Sequence, residues 1–279
     1  MSSTPGSGPV AILIPALNEA LRIREVVQGA LQHSSLVIVV DDGSTDGTCE
    51  QIENLPIELI RHPERRGKGE GLRTGFAAAL ARGASGVLSM DGDGQHLPSD
   101  IPRLLHAASA FPQHIVIGAR LKKRAQQPIH RRLANEFGDW GIAWATGYRI
   151  ADTQSGQRYY PRAVCELADV AGQGFVFEAD ILIQAARRLG TRCVSVPIES
   201  RYAGDGLAGQ FRRSHFRPLT DLYRITSHVV GRVWTYGRVI PRYIEARRSR
   251  PQIFDPTGAP LESEVSAVAN TPVKGDTAT

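Results

Sequence analysis

Apolar residues fall in short bursts along the first third of this chain. The runs VAILIP (10–15), LVIVVDD (36–42), IELIRHP (57–63) and GVLSMD (86–91) are brief and bounded by Gly, Pro, Asp or Asn. That pattern predicts buried strands rather than helices. Helical spacing fills residues 20–31 and about 72–82, and Gly43, Ser44, Thr45, Asp46 and Gly47 mark a turn that starts a further helix. Strands alternating with helices predict a doubly wound α/β domain with a mostly parallel sheet, whose ligands lie at the carboxyl ends of the strands.

Beyond a fifth strand, HIVIGAR (114–120), the alternation loosens. A basic loop precedes a helix over 131–146, DTQSGQRYY (152–160) reads as irregular, and a helix over 178–189 leads into the strand RCVSVPIESRY (192–202). The organisation expected is a flexible leader (1–8), a catalytic domain (9–210), a basic amphipathic helical segment (211–250) and a disordered tail (251–279).

Charge sharpens this division. Residues 201–250 hold eleven Arg against Asp205, Asp221 and Glu245, giving 11 − 3 = +8, so the rest of a chain of net charge +5 is acidic at −3. These arginines alternate with Leu222, Tyr223, Val229, Val233, Trp234 and Ile240 at helical spacing. Such a pattern suits a solvated surface or an anionic, partly apolar partner such as a membrane face. No run approaches 18 apolar residues, and the first residues carry no basic, then apolar, signal pattern. Cys49, Cys165 and Cys193 are too scattered for a zinc knuckle and suit a reducing compartment. A cytoplasmic protein, peripheral on the inner membrane face, is expected.

The chemistry gathers at strand ends. Asp91-Gly-Asp93-Gly-Gln95-His96 follows the fourth run, and two carboxylates one residue apart there can address one hard cation that bridges diphosphate oxygens. An Asx-rich turn is the plainer alternative. An EF-hand loop is excluded, because Pro102 stands where a bidentate Glu is required. Asp41-Asp42 ends the second run and faces the same sheet edge, unless Asp42 or Ser44 merely caps a helix. Asn18-Glu19 follows the first run. Gly67-Lys68-Gly69-Glu70-Gly71 precedes a helix, where exposed backbone N–H groups suit an anion, unless the glycines serve only the turn.

Taken in order, Pro15-Ala-Leu-Asn18-Glu19, Asp41-Asp42-Gly-Ser44, Gly67-Lys68-Gly69, Asp91-Gly-Asp93-Gly-Gln95-His96, Gly118-Ala-Arg120 and Asp152-Thr-Gln-Ser-Gly156 resemble glycosyltransferase family 2. Within it, the dolichyl- or polyprenyl-phosphate sugar synthase branch is most similar, over about residues 9–220. The resemblance implies a nucleotide-diphospho-sugar transferase (GT-A) fold and an inverting transfer from a nucleotide-sugar. It places Pro15, Asn18, Glu19, Asp41, Asp42, Lys68 and Asp91 at the donor, and Asp91, Asp93 and Gln95 on Mg²⁺ or Mn²⁺. Arg120 and Arg201 would neutralise phosphate as the nucleoside diphosphate leaves, with His215 assisting. A hydroxyl acceptor needs a carboxylate base, Asp152 or Glu178; an ionised lipid phosphate needs none, and Asp152 would then position the acceptor or an arginine. His96 suits a capping or sugar-contact role, since these cations prefer oxygen.

Gln210-Phe-Arg-Arg213 is half of a processive-synthase signature, but Ser214 stands in place of its Trp. Two alternatives carry different chemistry. A sugar-phosphate nucleotidyltransferase would need a Gly-rich basic loop directly after the first strand, and a catalytically inactive membrane-associated binding protein would not hydrolyse donor. The expected partners are the donor, a lipid-linked or small-molecule acceptor and a membrane surface, with no nucleic acid and with a homo-oligomer left open.

Overall fold

A computed structural model of the protein describes residues 8–121, 129–167, 170, 172, 174–199 and 218–256. Seven strands form one sheet: β1 (Val10–Ala16), β2 (Val37–Asp41), β3 (Glu58–Arg61), β4 (Gly86–Ser89), β5 (Ile115–Ala119), β6 (Arg158–Pro161) and β7 (Cys193–Pro197). Their order is β3-β2-β1-β4-β6-β5-β7, parallel except that β6 runs antiparallel to both neighbours. Chain order reverses between β1 and β4, so the crevice beyond their carboxyl ends is the natural place for a ligand.

The unbroken apolar runs of β1 and β2 follow from helices on both faces. Ala11, Leu13, Ile38 and Val40 pack toward α2 (Lys68–Ala81), α4 (Ile129–Thr146), α6 (Phe175–Gln184) and α7 (Pro218–Tyr236). Ile12, Ile14, Val37 and Val39 pack toward α1 (Ile23–Leu31) and α3 (Ile101–Ala110). The described residues also form the one-turn helix α5 (Arg162–Cys165) and the helix α8 (Val239–Arg248).

The structure differs from the sequence expectation at several places. No helix follows β2; residues 43–56 are turns and bends. The reason is that Ser44, Asp46 and Thr48 spend their side chains on a distant loop: Asn18 N–H donates to Ser44 Oγ (2.7 Å), Glu19 N–H to Thr48 Oγ1 (2.8 Å) and Ala20 N–H to Asp46 Oδ2 (3.2 Å). This binds residues 17–20, so α1 begins at Ile23 rather than near residue 20. The helix expected from about residue 72 begins at Lys68, which places Gly69 and Gly71 inside it. Gly69 is needed there, because a Cβ would meet Phe177 Cβ at 2.8 Å. The segment read as irregular supplies β6, and the helix placed from residue 178 starts at Phe175 and finishes as a π-turn, Ala185–Leu189.

Nor does the ordered chain end at residue 250. Ser195 N–H donates to Gln252 O (2.8 Å) and Phe254 N–H to Ser195 O (2.9 Å), while Phe254 meets Phe111 edge-on at 5.4 Å. Residues 251–256 thus cover the open edge of β7, a common protection of an edge strand. Helix α7 also belongs to the main core: Ile225, Val229 and Val233 are buried in it, and Arg232 pairs with the fully buried Asp180 through two 2.8 Å bonds, joined by His228 Nε2 at 2.9 Å.

Candidate active site

Asp91 lies two residues beyond β4, at the crevice between β1 and β4. Its carboxylate rests on Gly156, where a Cβ would overlap it, and Ser89 Oγ–H donates to Gly156 O (2.9 Å) to hold that loop against β4. Lys68, the first residue of α2, spans two carboxylates: its Nζ is 2.7 Å from Asp91 Oδ1 and 3.1 Å from Glu178 Oε1 in the first turn of α6. Burial alone would lower the ammonium and raise the Asp91 carboxyl. Their mutual attraction wins, so Lys68 is raised and Asp91 is held well below the usual carboxylate range.

Asp93 has no such partner. Its Oδ1 accepts Gln95 N–H (2.9 Å), an Asx turn, while burial and the adjacent Asp91 charge push its carboxyl up to about 6. His96 is buried, and its Nδ1 has no hydrogen-bond partner, lying 3.6 Å from Asp91 Oδ2. Burial pushes this imidazole down to about 4, so it is neutral at pH 7.

Among the described residues no group of three or more His, Cys, Asp or Glu side chains is assembled to hold a metal. The donor chemistry nonetheless fits a divalent ion. Two carboxylates sit close enough for one to raise the other, and the excess negative charge is what a hard, oxygen-preferring cation neutralises. Asp91 and Asp93 would hold it; Gln95 follows in the same loop, with its side chain partly buried.

The donor-side residues surround this crevice in two ways. Pro15 lies near the carboxyl end of β1 and Asn18 just beyond it, with Asn18 in the left-handed region (φ 56°) and its Oδ1 accepting Thr45 N–H (2.8 Å). Asp41 and Asp42 are almost fully buried. Asp41 accepts Ser44 N–H (3.1 Å) and lies 3.3 Å from Arg61 Nε. Asp42 accepts Arg66 N–H and Gly67 N–H (2.8 Å each) and contacts His62 Nδ1 (3.0 Å). Its carboxylate therefore anchors the loop that starts α2 and, through it, places Lys68.

On the far side, Asp152 grips Arg120 in a fork: Nε to Oδ2 at 2.7 Å, a terminal nitrogen to Oδ1 at 2.8 Å and the Arg120 N–H to Oδ2 at 2.9 Å. Asp152 reaches this position with φ 54°. Arg201 and His215 lie outside the described residues.

Sequence reasoning missed Arg158, the largest fully buried side chain among the described residues. It donates to Ser155 O (2.7 Å), Thr153 O (2.6 Å) and Glu178 O (3.0 Å), welding the 152–156 loop to the start of α6. Its position two residues after Gly156 was the available signal. The Lys68–Glu178 link was also unforeseen, since 110 residues separate them.

A model described as Glycosyl transferase family 2 matches residues 11–162. The undecaprenyl-phosphate mannosyltransferase of Micrococcus luteus is 31% identical over 224 residues, covering 72% of this chain and 90% of that protein. Polyprenol monophosphomannose synthase of Mycolicibacterium smegmatis is 30% identical over 202 residues, 67% of this chain and 75% of that one. Among solved structures, glucosyl-3-phosphoglycerate synthase from Mycobacterium tuberculosis in complex with Mg²⁺ and uridine-diphosphate is similar with TM-score 0.58 and 21% identity, covering 82% of this chain and 79% of that chain. This last likeness speaks to the fold.

Proposed function

Because the chain belongs to glycosyl transferase family 2 and is a glycosyltransferase of GT-A fold, we propose that it transfers a sugar from a nucleotide-sugar to a polyprenyl-phosphate-type acceptor. Transfer is inverting, depends on Mg²⁺ or Mn²⁺ and takes place at the inner face of the cytoplasmic membrane. One observation carries the choice of acceptor. Both carboxylates that sequence reasoning offered as bases are held by cations, Asp152 by Arg120 and Glu178 by Lys68. A carboxylate in a bidentate arginine pair is a poor proton acceptor. An acceptor phosphate, ionised at pH 7, asks for no proton transfer.

In this reading the nucleotide lies along the ends of β1 and β2, over the 17–20 and 43–48 loops. A divalent ion, when bound, supplies charge stabilisation to the departing diphosphate. Lys68 and Arg120 flank the same region and add to it, with Asp152 fixing the Arg120 fork. Purified protein given UDP-, GDP- and CMP-linked sugars, Mn²⁺ and a short polyprenyl phosphate should release nucleoside diphosphate and form glycosylated lipid phosphate. Transfer to a plain polyprenol, or donor turnover with no lipid product, would overturn the choice of acceptor; no donor turnover at all would favour an inactive binding protein.

Membrane attachment draws support from the C-terminal helices. No described helix is long and apolar enough to cross a membrane. Yet Trp234 and Ile240 are 69% and 70% exposed, beside Val230 and Ile244, on helices that also carry Arg224, Arg242, Arg247 and Arg248, with Arg238 in the link between them. Trp140 adds an exposed indole, 6.2 Å from the Tyr243 ring. Exposed aromatics with interspersed arginines suit the interface of an anionic bilayer. The double variant Trp234→Ser/Ile240→Ser, at exposed positions, should keep its thermal midpoint and bind phosphatidylglycerol-containing vesicles about tenfold more weakly or less. Unchanged sedimentation with vesicles would remove this surface from the account.

A further inference from the structure

Lys68 occupies an unusual position for a residue expected to meet phosphate. Its ammonium already has two anions, Asp91 at 2.7 Å and Glu178 at 3.1 Å. All three side chains are largely withdrawn from solvent, at 25%, 27% and 10% exposure, so the attraction is weakly screened. The oxygen that Lys68 holds, Asp91 Oδ1, belongs to the carboxylate that a divalent ion requires. Gly156 packs against the same carboxylate, and the other oxygen, Oδ2, lies 3.6 Å from His96 Nδ1. A cation that comes alone competes with the ammonium for this carboxylate and sets a second positive centre beside it, with Glu178 as the ammonium's other partner. A diphosphate changes this balance by offering Lys68 a new anion.

We propose that Lys68 is a placeholder cation, which neutralises Asp91 until a nucleoside diphosphate takes the ammonium over, so that the divalent ion binds well only together with the nucleotide. The inference rests on the donor-site reading above. Glu178 is the fixed pivot in this arrangement: it keeps the ammonium at the crevice in both states and acts as a positioning residue. Linkage then requires reciprocity, each ligand raising the affinity of the other by the same factor. The device also has a chemical use. Metal without donor is held loosely, and the full positive charge assembles only when there is a diphosphate to receive it.

The test is Mn²⁺ binding itself, read by electron paramagnetic resonance or calorimetry on the full chain, with and without UDP or GDP. Wild type should bind Mn²⁺ weakly alone and about tenfold or more tightly with one of the two nucleotides. Lys68→Met, which removes the competitor, should bind Mn²⁺ alone about tenfold more tightly than wild type, and the enhancement by nucleotide should shrink correspondingly. Lys68→Arg keeps the charge and should stay weak. If Lys68→Met does not fold, Lys68→Gln, polar but uncharged, carries the same expectation. A Lys68→Met or Lys68→Gln protein that binds Mn²⁺ no more tightly than wild type overturns the placeholder. Failure of the underlying reading looks different: neither UDP nor GDP would raise the thermal midpoint of wild type in Mn²⁺.

Discussion

Asp93→Asn is expected to make the metal-free protein more stable at pH 8 while reducing transfer by roughly 10²- to 10³-fold. The two effects share one cause. Burial and the Asp91 charge raise the Asp93 carboxyl above the usual carboxylate range to about 6, so the folded state resists ionising it. A carboxyl raised on folding contributes stability below its unfolded pKa, and that contribution is lost as pH climbs through the folded value. In chelator, wild type should therefore lose stability between about pH 4 and pH 7 relative to Asp93→Asn. The difference should reach on the order of 1–2 kcal/mol at pH 8, allowing for partial solvent access, and vanish near pH 4. Adding Mn²⁺ with the matching nucleotide should reverse the ranking, since only wild type keeps both carboxylates for the ion. Thermal midpoints across this pH range, with and without ligand, measure both halves. A variant less stable than wild type at pH 8 without metal would mean that Asp93 is not a repelled carboxylate.

Much of this site was legible because its residues follow short apolar runs. A strand buried on both faces reads as an unbroken hydrophobic burst, and a polar cluster directly after it must lie at the sheet edge. Pro15 to Glu19, Asp41-Asp42 and Asp91 to His96 all have that form, and the structure brings them around one crevice. Long-range hydrogen bonding was not legible. Ser44, Asp46 and Thr48 have the side chains of a helix start, yet they hold residues 18–20 instead, and the expected helix is absent. Asp41 and Asp42 were expected at the donor, or Asp42 as a helix cap; their carboxylates are buried and hydrogen-bonded to neighbouring loops, a link that local sequence does not show. Local sequence shows which groups can bond; it does not show which distant partner competes for them.

Strand β6 and residues 251–256 were missed for related reasons. Gln157 and Arg158 break the apolar pattern that marks a strand, although both are buried. Within residues 251–256, only Ile253 and Phe254 are large apolar side chains in a stretch that otherwise has the composition of a tail, yet Phe254 packs on Phe111 and His106. Mean composition over a segment conceals one or two residues that dock it.

Arg158→Met should be the most destabilising single change in the site, lowering the thermal midpoint by about 10 °C. Arg158 is 1% exposed, and its guanidinium serves Ser155 O, Thr153 O and Glu178 O at once. Methionine fills part of the volume but takes the guanidinium from all three carbonyls, of which only Glu178 O, inside α6, keeps a helical backbone donor, and a hydrogen bond to a charged group contributes about 1.5–3 kcal/mol. Because such bonds are not additive, the total should be about 4 kcal/mol, and each kcal/mol moves the midpoint of a domain this size by about 2–4 °C. Lysine should recover little, since one ammonium cannot reach three carbonyls that a planar fork spans. Activity should fall further than the loss of folded protein explains. The 152–156 loop carries Asp152, which orients Arg120, and Gly156, on which Asp91 rests; Glu178 starts the helix at the other end of the Arg158 bonds. Releasing that weld loosens Arg120 and Asp91 together, so kcat should drop more than KM rises at a temperature where the variant is folded. A midpoint within about 2 °C of wild type would show that water or other donors satisfy the three carbonyls, and that the loop and α6 are held together by something other than Arg158.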